Sequence, residues 1–253
     1  DVTVSNITTI VIEEMLEWED VTVSPIDLCL GGEVDLFASV TGNSNTSITW
    51  YVSPSGLNDW TEVTSPHSPE IGIWDYQPVF DTTGPGCDII NEAPITTVTV
   101  HEDPFVSISS VDTEICEDET LIINSSIAGG VGVCSYQWQF FDGSVWNDSG
   151  DDSDSYTVIS ASAFTDYPHR LIYECDGEGC DEAVSNEIDI TVFENPTVNA
   201  LADPNPQCAA EPIDLSADVS NGNYPYSYHW DNGLGEGQNH TVNPLSNTTY
   251  SVT

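Results

Sequence analysis

Residues 134–149 read Cys134-Ser135-Tyr136-Gln137-Trp138-Gln139-Phe140-Phe141-Asp142-Gly143-Ser144-Val145-Trp146-Asn147-Asp148-Ser149. Rings at positions 136, 138 and 140 alternate with polar residues, the two-residue period of a strand with one face in a core. Asp142-Gly143 then supplies a turn and Trp146 follows it, so the stretch predicts a β-hairpin around a central tryptophan. The pattern recurs. Ile48-Thr49-Trp50-Tyr51-Val52 runs through Pro54-Ser55-Gly56 to Trp60, and Tyr226-Ser227-Tyr228-His229-Trp230 stands in the corresponding place near the C-terminus.

Cys29, Cys116 and Cys208 precede Trp50, Trp138 and Trp230 by 21, 22 and 22 residues, a period of 87 and then 92 residues. Repeats of that length, made of short Val/Ile/Thr/Tyr-rich segments punctuated by Gly, Pro, Asn and Asp, predict an all-β chain of tandem antiparallel β-sandwiches arranged end to end. Ile95–Val100 before Pro104 matches Ser185–Val192 before Pro196 as closing strand and linker. The predicted organisation is therefore 1–14 as the last strand of a preceding repeat, 15–102 as repeat one, 103–194 as repeat two, and 195–253 as a third repeat cut before its closing strand. A free N-terminal strand is the alternative for the first residues. Trp50, Trp138 and Trp230 are expected in the sandwich cores. Trp60, Trp74 and Trp146 are open to a second reading as platforms for stacking sugar rings.

The chain carries 43 Asp and Glu against one basic side chain, Arg170, for a formal charge of −42 over 253 residues. Binding to nucleic acid requires clustered cations and is excluded by that balance; an anionic bilayer would repel the chain in the same way. No apolar run approaches the roughly 20 residues that cross a bilayer as a helix, so direct membrane insertion is not expected. The apolar residues make up 39% of the chain, enough to build packed cores despite the charge.

Seven cysteines in such a chain point to an oxidising compartment. Repeat equivalence pairs Cys29 with Cys87 and Cys116 with Cys180; Cys134 then faces Cys175, with exchange between Cys175 and Cys180 left open, and Cys208 stays unpaired in this stretch. Bridges closing loops of about 60 residues each contribute about 4 kcal/mol in the chain-entropy picture. The five histidines show no metal-ligand spacing and no nucleophile motif is present, so an enzyme is not expected. The acidic run containing Asp148, Asp151, Asp152 and Asp154 offers alternating hard oxygen ligands and is a candidate calcium site, without the glycine and closing glutamate of an EF-hand. Asp176-Gly177-Glu178-Gly179 is a weaker candidate of the same kind. No other cofactor is implied. Six Asn-x-Ser/Thr sequons, at Asn6, Asn45, Asn124, Asn147, Asn239 and Asn247, are partly fortuitous in a chain this rich in those residues.

Tyr136-Gln137-Trp138-Gln139, Asp142-Gly143, Trp146, Tyr173-Glu174-Cys175 and Ser185-Asn186-Glu187-Ile188 resemble the Ig-like and PKD-like repeats of giant Bacteroidota cell-surface proteins. Tyr224-Pro225-Tyr226-Ser227-Tyr228-His229-Trp230-Asp231-Asn232-Gly233 is similar to repeats in gliding-motility adhesins of the SprB type. Repeat one departs by lacking the Tyr-x-Trp dyad and the Ser-Asn before its last strand. The resemblance implies type IX export and display at the cell surface in adhesion or gliding motility. Expected partners are neighbouring repeats of the same chain, other copies of it, or surface polysaccharide. Two alternatives are a filament subunit whose Val2–Ile12 strand completes another subunit's sheet, and a carbohydrate-binding accessory domain of a secreted enzyme.

Overall fold

The structure, a computed structural model, describes residues 8–10, 17–41, 46–82, 93–150, 152–159 and 163–253. Among them every regular element is a strand. Within 15–102 these are β1 (Glu17–Ser24), β2 (Asp27–Cys29), β3 (Asp35–Thr41), β4 (Thr46–Pro54), β5 (Thr61–Val63), β6 (Gly72–Thr82) and β7 (Thr96–His101). Two sheets form, β1-β3 and β2-β7-β6-β4-β5. The strand that opens the repeat serves both. Pro25 has no N–H to donate, and the antiparallel ladder of β1 with β3 ends at Ser24; the chain then crosses over and β2 runs parallel to β7. Val23 and Leu36 from the first sheet meet Leu28, Trp50, Val52, Tyr76, Val98 and Val100 from the second in one buried cluster. That is a sandwich core.

Within 103–194 the strands are β8 (Phe105–Ser110), β9 (Glu114–Cys116), β10 (Thr120–Ala128), β11 (Cys134–Phe141), β12 (Trp146–Ser149), β13 (Ser155–Ile159), β14 (Phe164–Cys175), β15 (Ala183–Val184) and β16 (Ile188–Phe193). The sheets are β13-β10-β8 and β12-β11-β14-β16-β9, with β15 on β14. The crossover is repeated: β9 runs parallel to β16 as β2 does to β7, so Cys116 stands where Cys29 stands. The third stretch holds β17 (Thr197–Asp203), β18 (Ile213–Ser220), β19 (His229–Trp230), β20 (Gly235–Glu236) and β21 (Asn239–Val242), in sheets β17-β18-β21 and β19-β20. Its core joins Leu215, Ala217, Trp230 and Val242.

Among the described residues no ladder joins strands from different repeats. The compact units are drawn differently. One comprises Asp1–Ser107, Ser126–Tyr136 and Ile172–Ser185; the other comprises Ile108–Ser125, Gln137–Leu171 and Asn186–Thr253. The first unit thus takes in two segments from the sequence range of repeat two. Of the expected strand at 1–14, residues 8–10 are described; they form no strand, and Ile10 is exposed. The remainder lies outside the described residues.

Candidate functional site

The residues that distinguish this chain from a row of independent sandwiches lie where one repeat follows another, and each such joint falls inside a single compact unit. Both linkers are held by a glycine loop from the repeat that follows. Gly130 N donates to Glu102 O at 3.1 Å beside Pro104, and Gly222 N donates to Glu194 O at 2.8 Å beside Pro196. At the second joint Asn195 Nδ2 donates to Glu117 O at 3.3 Å and Asn223 Nδ2 to Glu114 Oε2 at 2.6 Å.

The first joint adds a covalent bond. Cys29, at the end of β2, is fully buried and bonded to Cys180, with Cα atoms 4.8 Å apart and 151 residues between them in sequence. Backbone contacts seat the loop that brings Cys180 there. Cys29 N donates to Glu178 O at 2.9 Å, while Gly177 N donates to Val131 O at 3.0 Å and Asp176 N to Val133 O at 3.0 Å. Asp176 Oδ1 in turn accepts from Val133 N at 2.6 Å. Two main chains approach too closely for any side chain. A Cβ at Gly32 would sit 2.8 Å from Glu178 O, and one at Gly179, whose φ is +79°, would run into the backbone of Gly32.

This pairing corrects two expectations, Cys29 with Cys87 and Cys116 with Cys180. The Asp176–Cys180 loop reaches Cys29 of the preceding repeat, so the two cysteines that repeat equivalence gave to different repeats are joined to each other. Cys116 is unbonded and half-buried, Cys208 is unbonded and exposed, and Cys87 lies outside the described residues. Cys134 is bonded to Cys175. Asp176-Gly177-Glu178-Gly179, read from the sequence as a weaker calcium candidate, forms the loop that docks on Cys29 and Gly32. The signal for it was present: glycines flank both partners, at Gly31-Gly32 after Cys29 and at Gly177 and Gly179 before Cys180.

Trp50, Trp138 and Trp230 are 7%, 0% and 1% exposed, so all three are core residues. Indole donors are satisfied inside, Trp138 Nε1 by Ser153 O at 2.9 Å and Trp230 Nε1 by Gly237 O at 3.0 Å. The three tryptophans with a second reading as sugar platforms each have local surroundings of their own. Arg170 lies 3.9 Å over the ring of Trp146, whose other neighbour is Phe141; Trp74 packs against the first core with its Nε1 on Glu70 O at 2.7 Å, and Trp60 is half-buried. Arg170 Nε also donates to Gln139 Oε1 at 2.9 Å. The chain's one strong cation is thus held within an aromatic and amide environment.

Within the acidic run, Asp148 Oδ1 accepts from Gln139 Nε2 at 2.9 Å, the backbone carbonyl of Asp154 accepts from Ser125 N and Oγ, and Asp152 is exposed. Asp151 lies outside the described residues. Among the described residues no three His, Cys, Asp or Glu side chains gather closely enough to hold a metal ion. Carboxylates are used instead to tie turns. Asp142 accepts from Val145 N, Ser144 N, Asn147 Nδ2 and Ser144 Oγ, which together hold its carboxyl well below the usual range. Burial raises the Asp75 carboxyl, but hydrogen bonds from Thr97, Gly56 and Ser55 outweigh it and the net shift is downward. His169 is buried, donates from Nδ1 to Tyr167 O at 2.9 Å between the rings of Phe140 and Tyr156, and is pushed below its ordinary value by burial, only partly offset by that bond. Among the described residues no helix is long and apolar enough to cross a membrane.

No protein-family model and no curated protein matches the chain. Among solved structures it is similar to the N-terminal eight Ig domains of Down Syndrome Cell Adhesion Molecule isoform 1.30.30, with 14% identity, 95% of this chain and 42% of that one covered, and a TM-score of 0.41. Sidekick-1 immunoglobulin domains 1–5 match with 12% identity over 93% of this chain and 54% of that one, TM-score 0.35. The Escherichia coli adhesin FdeC matches with 14% identity over 96% and 94%, TM-score 0.43. The chain spans less than half the length of that DSCAM fragment and about half that of the Sidekick-1 fragment.

Proposed function

We propose that the chain is a non-enzymatic structural segment of a long extracellular cell-surface adhesion protein, a spacer that holds adhesive regions away from the cell. The observation that carries this reading is the construction of the joints: each linker is clasped by the next repeat, and at the first joint a disulfide is added. A binding module has no need to invest its least substitutable residues in connections. The two disulfides support an oxidising, extracellular setting. A surface charge of −42 favours solubility and opposes collapse of one segment onto another. The finer assignment, attachment or gliding of a Bacteroidota cell after type IX export, rests on the sequence resemblance of the Tyr-x-Trp repeats alone.

The test places a known binding module on the cell surface behind one, two or four copies of the chain, with a target beneath a polysaccharide layer. Capture is expected to rise with copy number, while the chain alone binds neither the target nor a glycan array. Saturable glycan binding by the isolated chain, abolished by replacing Trp60 or Trp74, would overturn the spacer reading in favour of a sugar-binding module.

A further inference from the structure

We propose that the Cys29–Cys180 bond is a bypass for mechanical tension. The inference adds a load path to the spacer function proposed above. A chain pulled from its two ends carries tension along its backbone until it meets a covalent short cut. Here the short cut lies between β2 and the Asp176–Cys180 loop, and tension crosses it from Cys29 to Cys180 without entering the 151-residue stretch between them. That stretch contains every strand from β3 to β14 and the buried Trp50, Tyr76 and Trp138. Among the described strands, only β1 and β2 before the bond, and β15, β16 and those of the third repeat after it, lie in the loaded path. Those strands can peel, and Val23, Leu28, Ile190 and Val192 leave the cores with them, but the stretch between the bonded cysteines cannot be drawn out.

The surroundings of the bond suit that role. Cys29 is fully buried, its own N–H is anchored to Glu178 O, and Gly32 meets Gly179 main chain to main chain. The two anchor points are thus held together by hydrogen bonds and packing as well as by sulfur. The Cys134–Cys175 bond behaves differently. It lies wholly inside the bypassed stretch and carries no end-to-end tension while Cys29–Cys180 is intact.

The test is single-molecule stretching of the complete chain held at residues 1 and 253. With the bond intact the released contour is expected to be about two-fifths of that of the fully reduced chain, because about 50 nm of backbone stays locked at ~3.5 Å per residue. Wild type treated with a phosphine reductant is expected to release that length in full. A Cys29→Ser, Cys180→Ser double variant, left oxidised, retains Cys134–Cys175 and is expected to release about 38 nm more than oxidised wild type, by the same ~3.5 Å per residue. Peptide mapping without reduction accompanies the pulling. Full-length release from oxidised wild type would overturn the proposal. So would a locked length of about 34 nm, the sum of a Cys29–Cys87 loop and the Cys134–Cys175 loop, with Cys29 mapped to Cys87. These outcomes are read from the isolated chain, so they stand or fall apart from the cell-display test of the spacer function.

Discussion

Gly179 shows how much of the first joint depends on the absence of atoms. Its φ of +79° and its contact with the Gly32 backbone leave no position for a methyl group. Gly179→Ala is therefore expected to lift the Asp176–Cys180 loop away from Cys29, lowering the yield of the Cys29–Cys180 bond in a non-reducing peptide map while Cys134–Cys175 forms normally. His169 gives a different kind of residue-scale test. Burial holds its folded-state pKa below the ordinary value, so the unfolded chain binds more protons as the pH drops through that value. Its contribution to stability is complete above about pH 6.5 and is lost progressively below it. Asp142 and Asp75 act in the same direction at lower pH, since their depressed carboxyls stabilise the fold above the ordinary carboxylate range and cease to do so as the pH falls through their folded values. Between pH 7.5 and pH 5.5 the thermal midpoint is expected to fall in wild type and to fall less steeply in His169→Phe, measured by circular dichroism. An equal slope in the two proteins would remove His169 from the account.

At the scale of strands and loops, the hairpin read from Tyr136 to Trp146 is present as β11 and β12, paired from Phe141 with Trp146 to Trp138 with Ser149. Trp138 is its fully buried member and stacks on Tyr156 with ring centroids 5.6 Å apart. Trp138→Ala is expected to cost about 3–5 kcal/mol in denaturant unfolding of the second repeat, and it would also leave the Ser153 carbonyl without its indole donor. The core tryptophans, the strand alternation and the Asp-Gly turn were legible because period-2 patterning and turn chemistry are local properties. The partner of Cys29 was not. Equivalence between repeats tells which cysteines hold corresponding places, but not whether a loop turns back into its own sandwich or onto the one before. That choice is made by backbone contacts at Val131, Val133 and Gly32, which are distant in sequence and carry no side-chain signature beyond the glycines. The clasping of the linkers by Gly130 and Gly222 was hidden for the same reason, although Pro104 and Pro196 marked the places.

Over the whole molecule the charge dominates. A net −42 stores self-repulsion that salt relieves, since the Debye length shortens from about 10 Å at 0.1 M to about 3 Å at 1 M. The thermal midpoint is expected to rise with NaCl. Calcium chloride set against sodium chloride at equal ionic strength separates screening from binding: equal midpoints are expected if the Asp148–Asp154 run is a solvated surface, and a larger rise with calcium, lost in Asp152→Asn, Asp154→Asn, would establish a site. The same composition bears on digestion. Arg170 is the only residue after which a trypsin-like protease could cut. It lies in mid-strand, its guanidinium is laid on Trp146, and the next residue, Leu171, is fully buried. Native protein is expected to survive prolonged trypsin treatment as one band, and to give two fragments once reduced and denatured. To any protease of that specificity, a surface with no lysine and one sheltered arginine is all but inedible.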